Sequence, residues 1–182
     1  MAWNREREKA QCNHGQRILS MSNHGFAVLK KGASKDTRLN FTDYLYEALV
    51  SENISTFLDE QEVETGEELK PELTRAIKGS RASIIVLSKN YASSTWCLDE
   101  LVLILEQQKV SKQIVVPIFY HVEPTHVRKQ EKSFGEALFK HGQRMEAEKD
   151  KEKKRQAARK LESWTEALKE VADLKGKDVN GR

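Results

Sequence analysis

The chain has 182 residues, 38% of them hydrophobic and 32% charged, with a formal net charge of +3, which suits one domain of roughly 150 residues plus tails. Residues 1 to 35 carry 7 Lys and Arg against 2 acids and residues 140 to 160 carry 9 against 4, so the basicity sits in two flanking stretches; nucleic-acid binding would need a basic stripe on the folded face instead. Two cysteines without paired spacing, no apolar run near the roughly 20 residues that span a bilayer and no apolar leader argue against a disulfide framework, a zinc site and a membrane span, and predict a soluble cytoplasmic protein with access to the nucleus.

Residues 1 to 25 show no sustained period and cluster Asn, His, Gly and Ser, and read as a poorly ordered extension. Phe26 to Leu29 predicts a first strand that degenerates at Lys30, Lys31 and Gly32, where a buried strand would continue apolar. Asp36 or Asn40 offers a cap for a helix whose Phe41, Leu45 and Leu49 recur every four residues through about Val50. Asn53 suits the left-handed residue that ends it. Ile54 to Asp59 is the second strand and releases an acidic loop, EQEVETGEELK. A capping box of Thr65 and Glu68 would place Pro71 inside a helix, where it removes a hydrogen bond. The helix is therefore predicted to start near Lys70, with Leu69, Leu73 and Ile77 inward and Gly79 closing it.

Ala82 to Ser88 (ASIIVLS) is apolar without alternation, which predicts a parallel strand covered on both faces. A helix follows from Trp96 to about Val110, capped by Ser94 or Thr95, and its five apolar residues from Leu101 to Leu105 imply burial nearly all round. Gln113 to Tyr120 is another buried strand, with a flaw or bulge expected at Pro117, which lacks a donor. After the loop HVEPTHVRKQEK, Ser133 and Glu136 form a capping box for a helix that packs through Phe134, Leu138 and Phe139. Residues 145 to 160 are charge-dense and read as a solvated helix or linker. Leu161, Trp164, Leu168 and Val171 restore a helical face, Gly176 ends it, and 177 to 182 form a tail. Strands alternating with helices predict a parallel sheet with helices on both faces. Right-handed crossovers leave few arrangements, of which the flavodoxin-like order 2-1-3-4-5 is chosen.

Parallel sheets bind ligands beyond the carboxyl ends of their strands, so the loop from Lys89 to Thr95 marks the expected site. Beside it stand an exposed-looking Trp96, Cys97, Asp99 and Glu100. On residue types alone, both acids suit a helix N-terminus, where each contributes about 0.3 to 1 kcal/mol. Trp96 is either a lid over the core edge or a substrate contact, and Cys97 reads as a small buried filler. No GxGxxG or GxxxxGK motif offers a phosphate cradle.

The blocks DTRLNFTDYLYEAL, ISTFLDEQEVETGEELKPELTRAI, SIIVLSKNYASSTWCLDELVLILE, QIVVPIFYHVEPTHVRKQ and SFGEALFKH occur in that order, and the series resembles the Toll/interleukin-1 receptor (TIR) domain of plant immune receptors over residues 26 to 176. The resemblance implies a five-stranded flavodoxin-like domain that self-associates with other TIR domains and cleaves nicotinamide from NAD+ or NADP+ as substrate, with no bound cofactor or metal. By position Glu100 in WCLDEL matches the catalytic glutamate. Trp96 and Ser94 match its surroundings, and Arg38 of the DTR motif matches a residue that meets the dinucleotide's phosphates. Residues 60 to 68 resemble the BB loop, with Glu64, Gly66 and Glu67. Where such domains open YDVFLSFRGEDTR, this chain has FAVLKKGASKDTR, and an adaptor or decoy that works by TIR pairing stands as the alternative.

Overall fold

A strand with apolar residues on both faces needs cover on both sides, and the fold is built around that requirement at Ala82–Leu87. The computed structural model describes residues 26–30, 41–59 and 71–179. Among the described residues run β1 (Phe26–Lys30), α1 (Phe41–Ser51), β2 (Ser55–Asp59), α2 (Pro71–Gly79), β3 (Ala82–Leu87), a 3-10 turn (Tyr91–Ser93), α3 (Thr95–Ser111), β4 (Ile114–Tyr120), α4 (Pro124–Arg128), α5 (Ser133–Glu146), α6 (Lys151–Asp173) and β5 (Lys177–Val179). The strands form one sheet in the order β2-β1-β3-β4-β5, every pair parallel. This is the flavodoxin-like arrangement. No helix among the described residues is long and apolar enough to cross a membrane.

Side chains alternate across the sheet, so neighbouring residues on β3 enter different layers. Ile85 and Leu87 join Val115 and Phe119 in the larger cluster, built with α2, α3, α5 and α6. Ile84 and Val86 join Ile118 and Tyr120 against Phe41, Leu45 and Leu49 of α1. The short β1 is paired on both sides, from Phe26↔Ser55 to Lys30↔Asp59 with β2 and from Ala27↔Ala82 to Lys30↔Ile85 with β3.

Local chemistry explains the element ends. Asn53 takes φ 58°, while its N–H donates to Val50 O at 3.0 Å and that of Ile54 to Leu49 O at 2.9 Å, a Schellman closure of α1. Pro71 opens α2, where the missing donor costs nothing, and Leu73 and Ile77 are buried as the spacing predicts. Asp150 caps α6 by accepting from Glu152 N at 2.8 Å and Lys153 N at 3.0 Å, which resolves the charge-dense stretch into the end of α5, a break and the solvated first turns of α6.

Several expectations are corrected. Pro117 produces no bulge: pairing with β3 runs unbroken through Ile85↔Pro117. Its carbonyl faces Gly176, on the side where β5 starts pairing only at Ile118, so no ladder donor is required there. Ser133 is the first residue of α5 rather than its cap, a place taken by Lys132 at φ 52° without a side-chain bond. Phe139 is 67% exposed, whereas Phe134 and Leu138 are buried. Part of the loop after β4 forms the short α4. The fifth strand arises in the segment read as a tail. Residues 1–25, the Asp36 and Asn40 caps and Leu69 lie outside the described residues.

Gly176 follows the end of α6 and serves packing. A Cβ there would stand 2.6 Å from the Phe119 ring and 2.7 Å from Pro117 O. Gly176→Ala is expected to cost about 1–3 kcal/mol through overpacking, whereas Gly79→Ala, with nothing within 4 Å of the added carbon, changes stability little. Urea denaturation of the two variants beside the parent chain checks the contrast.

Candidate functional site at the end of the central strand

The strand order reverses between β1 and β3, the switch point at which parallel sheets bind ligands beyond the carboxyl ends of their strands. β1 ends at Lys30 and β2 at Asp59 on the same edge where β3 leads into the 3-10 turn and α3. The turn is tied to the strand by Tyr91 N donating to Ser88 O at 3.0 Å. Ser94 then caps α3, its Oγ accepting from Cys97 N at 3.3 Å. From that cap the helix runs inward, and its sixth residue, Glu100, is 0% exposed.

Trp96 is buried, at 6% exposure, which corrects its exposed look in the sequence: the first turn of α3 sinks into the core instead of skirting it. Cys97 is the buried filler expected. Asp99 does more than complement a helix N-terminus. Its Oδ1 accepts from Trp164 Nε1 at 2.8 Å and its Oδ2 from Lys160 Nζ at 2.8 Å, both on α6. The Lys160 ammonium also lies 5.9 Å from the Trp164 ring centroid.

Two further groups brace the same segment. The Tyr91 hydroxyl donates to the Cys97 carbonyl at 3.0 Å inside the core. Burial, and after it the electrostatic influence of Cys97 and Glu100, pushes its pKa well above 10.0 and keeps the phenol a donor. His141 of α5 lies 2.9 Å from Ala92 O through Nε2, with its ring 5.4 Å from that of Trp164 at an edge-on 63°. A carbonyl can only accept, so Nε2 carries the proton. Burial lowers the His141 pKa, Arg144 lowers it further, and the bond to Ala92 opposes them.

Ser94, Trp96 and Glu100 thus fall on the cap and first turns of α3. Arg38 and the loop residues Glu64, Gly66 and Glu67 lie outside the described residues. Sequence reasoning missed His141, although Phe134, Leu138 and His141 follow one helical stripe and could have marked it as inward-facing. It also missed Tyr91, and it missed the partners of Asp99 because a contact across 65 residues leaves no local pattern.

Residues 26–181 match the family described as TIR domain. The chain is 50% identical over 145 residues to the disease resistance protein RUN1 of Vitis rotundifolia, covering 78% of this chain and 10% of that protein. It is 41% identical over 157 residues to the TMV resistance protein N of Nicotiana glutinosa, covering 86% and 13%. It therefore spans about a tenth of the length of these relatives. Among solved structures it is similar to the TIR domains of the activated Roq1 resistosome directly recognizing the pathogen effector XopQ, with a TM-score of 0.70 and 39% identity over 85% of this chain and 88% of that one.

Folding lowers the His141 pKa below 6.5, so the folded state binds that proton less readily than the unfolded chain. The imidazole leaves stability unchanged above pH 6.5 and reduces it progressively as pH falls below 6.5. Melting temperatures between pH 8 and pH 5 should show this loss, and His141→Gln, which keeps a donor for Ala92 O but does not titrate, should flatten that part of the profile.

Proposed function

The chain belongs to the TIR-domain family, and from that premise we propose that it is a NAD+ or NADP+ glycohydrolase of plant innate immune signalling whose essential carboxylate is Glu100. The observation that carries this reading is a fully buried Glu on the helix that opens at the carboxyl end of β3, beside the switch point of a parallel sheet. Breaking the bond between the ribose and nicotinamide sends the electron pair away with the leaving base, and positive charge builds on the ribose. A carboxylate shielded from bulk water stabilises that charge far better than one in solvent, and it can also accept bonds from the ribose hydroxyls. Water or another hydroxyl then completes the transfer. Ser94, as cap, sets the direction of α3. Trp96 packs under the same turn, and Arg38 would contact the phosphates.

Self-association is part of the proposal, with other TIR domains as partners and the cytoplasm, or the nucleus, as the place of action. The Roq1 assembly, a resistosome containing TIR domains, supports that part of the reading. A second reading, a TIR adaptor or decoy, is favoured by one feature: from Lys30 to Ser34 the chain reads KKGAS where the first strand of such domains continues into LSFRG.

Purified protein should release nicotinamide from NAD+, with specific activity rising as protein concentration increases. Glu100→Gln should lower kcat by roughly two to three orders of magnitude, the scale for removing one preorganised electrostatic group. Equal turnover by this variant would sink the assignment of Glu100, and a folded but inactive parent chain would favour the adaptor.

A further inference from the structure

Asp99, Trp164, His141 and Ala92 form one connected series. Trp164 Nε1 bonds Asp99 on the first turns of α3. The Trp164 ring meets the edge of His141. His141 in turn bonds the Ala92 carbonyl in the 3-10 turn that precedes α3. The series leaves the segment 92–99 at one end, crosses α5 and α6, and returns to it at the other. Trp164 is 1% exposed and His141 4%, so the His141–Ala92 bond is shielded from competing water, while the bond to Asp99 is half-buried. From the inner side, the Tyr91 hydroxyl holds the Cys97 carbonyl. The turn and the start of α3 are thus gripped from two directions, and Glu100 is the residue immediately after the gripped segment.

We infer that His141 and Trp164 are positioning residues, a latch from α5 and α6 that fixes the 3-10 turn and the first turns of α3 and so holds Glu100 in one place. The effect on catalysis rests on the reading of Glu100 given above; the latch itself does not. A helix start that carries a reacting carboxylate must hold it to within about half an ångström. Within the segment itself, Ser94 caps α3 by accepting from Cys97 N and the Tyr91 hydroxyl ties the Cys97 carbonyl. The two outer contacts add restraint at each end of the segment without touching substrate. Their chemistry is specific: Ala92 O needs a donor at the His141 position, and Asp99 needs the indole N–H.

The test combines hydrogen exchange with kinetics on the full chain. In His141→Ala and in Trp164→Phe, peptides spanning residues 88–98 should take up deuterium about tenfold faster, with peptides over β4 (residues 114–120) unchanged. His141→Gln, which restores a donor, should return exchange close to the parent rate. In NAD+ turnover the first two variants should lose about tenfold in kcat with KM within twofold, and His141→Gln should recover most of it. Gly176→Ala, a packing defect at β4 and β5, serves as the comparison for a general loss of stability. Exchange that stays at the parent rate, or rises evenly along the chain as in Gly176→Ala, overturns the latch. Faster exchange at 88–98 with kcat unchanged overturns its role in placing Glu100. A parent chain that cleaves no NAD+ while the exchange pattern appears as expected supports the latch and removes the glycohydrolase reading instead.

Discussion

Burial of β3 on both faces is the constraint from which the rest follows. Ile85 and Leu87 enter one cluster, while Val86 and Ile84 enter the other, so the strand has no solvent face on which chemistry could be placed. Polar groups that act on a ligand must therefore gather at its end. The turn after Leu87 and the helix after Ser94 are the first residues free to do so, and they lie beside the switch point of the 2-1-3 order. The same constraint recruits helices to both layers, among the described residues α1 alone against one face and several helices against the other.

The larger layer also changes the character of α3. A helix lying on a sheet normally keeps a polar back, yet α3 buries Trp96, Cys97, Leu98, Glu100, Leu101, Ile104 and Leu105. It is covered by α6 as well as by the sheet, and that second cover is what brings Trp164 and Lys160 to Asp99. The ion pair with Lys160 is partly exposed and worth about 0–1 kcal/mol. The bond from the buried indole matters more, because either group left unpaired there would bear the cost of its lost hydration, about 1–3 kcal/mol.

What was legible in the sequence was what local chemistry decides. Asn53, Pro71 and Ser94 each announce a helix end through a property of one residue, a tolerated positive φ, a missing donor or a short side-chain acceptor, and each stands where that property is used. The parallel strands were legible because continuous apolar runs such as ASIIVLS have few alternatives. What was hidden depended on partners distant in the chain. Nothing around Pro117 tells that β5 begins one residue too late to need its donor. Nothing around Lys177–Val179, three residues of mixed polarity, distinguishes an edge strand from a tail. Phe139 has the residue type of a core position, but it points away from the stripe of Phe134, Leu138 and His141. At the candidate site, residue type alone gave Glu100 and Asp99 the same reading, and only the block that contains them distinguished the two.

Helical geometry is what separates those two acids. Successive residues on an α-helix are turned by about 100°, so when one carboxylate faces α6 its neighbour must face elsewhere. Asp99 is turned to the indole and ammonium of α6, stays partly exposed and is held by two bonds of 2.8 Å. Glu100 is turned into the interior, 0% exposed, close enough to Tyr91 for its charge to raise that phenol's pKa. A group in the first setting has its charge offset by the neighbouring ammonium and screened by solvent. A group in the second has its field concentrated by the low dielectric around it, the setting in which a developing positive charge is stabilised most. Which of the two adjacent acids is buried thus follows from which side of α3 the sheet covers and which side α6 covers.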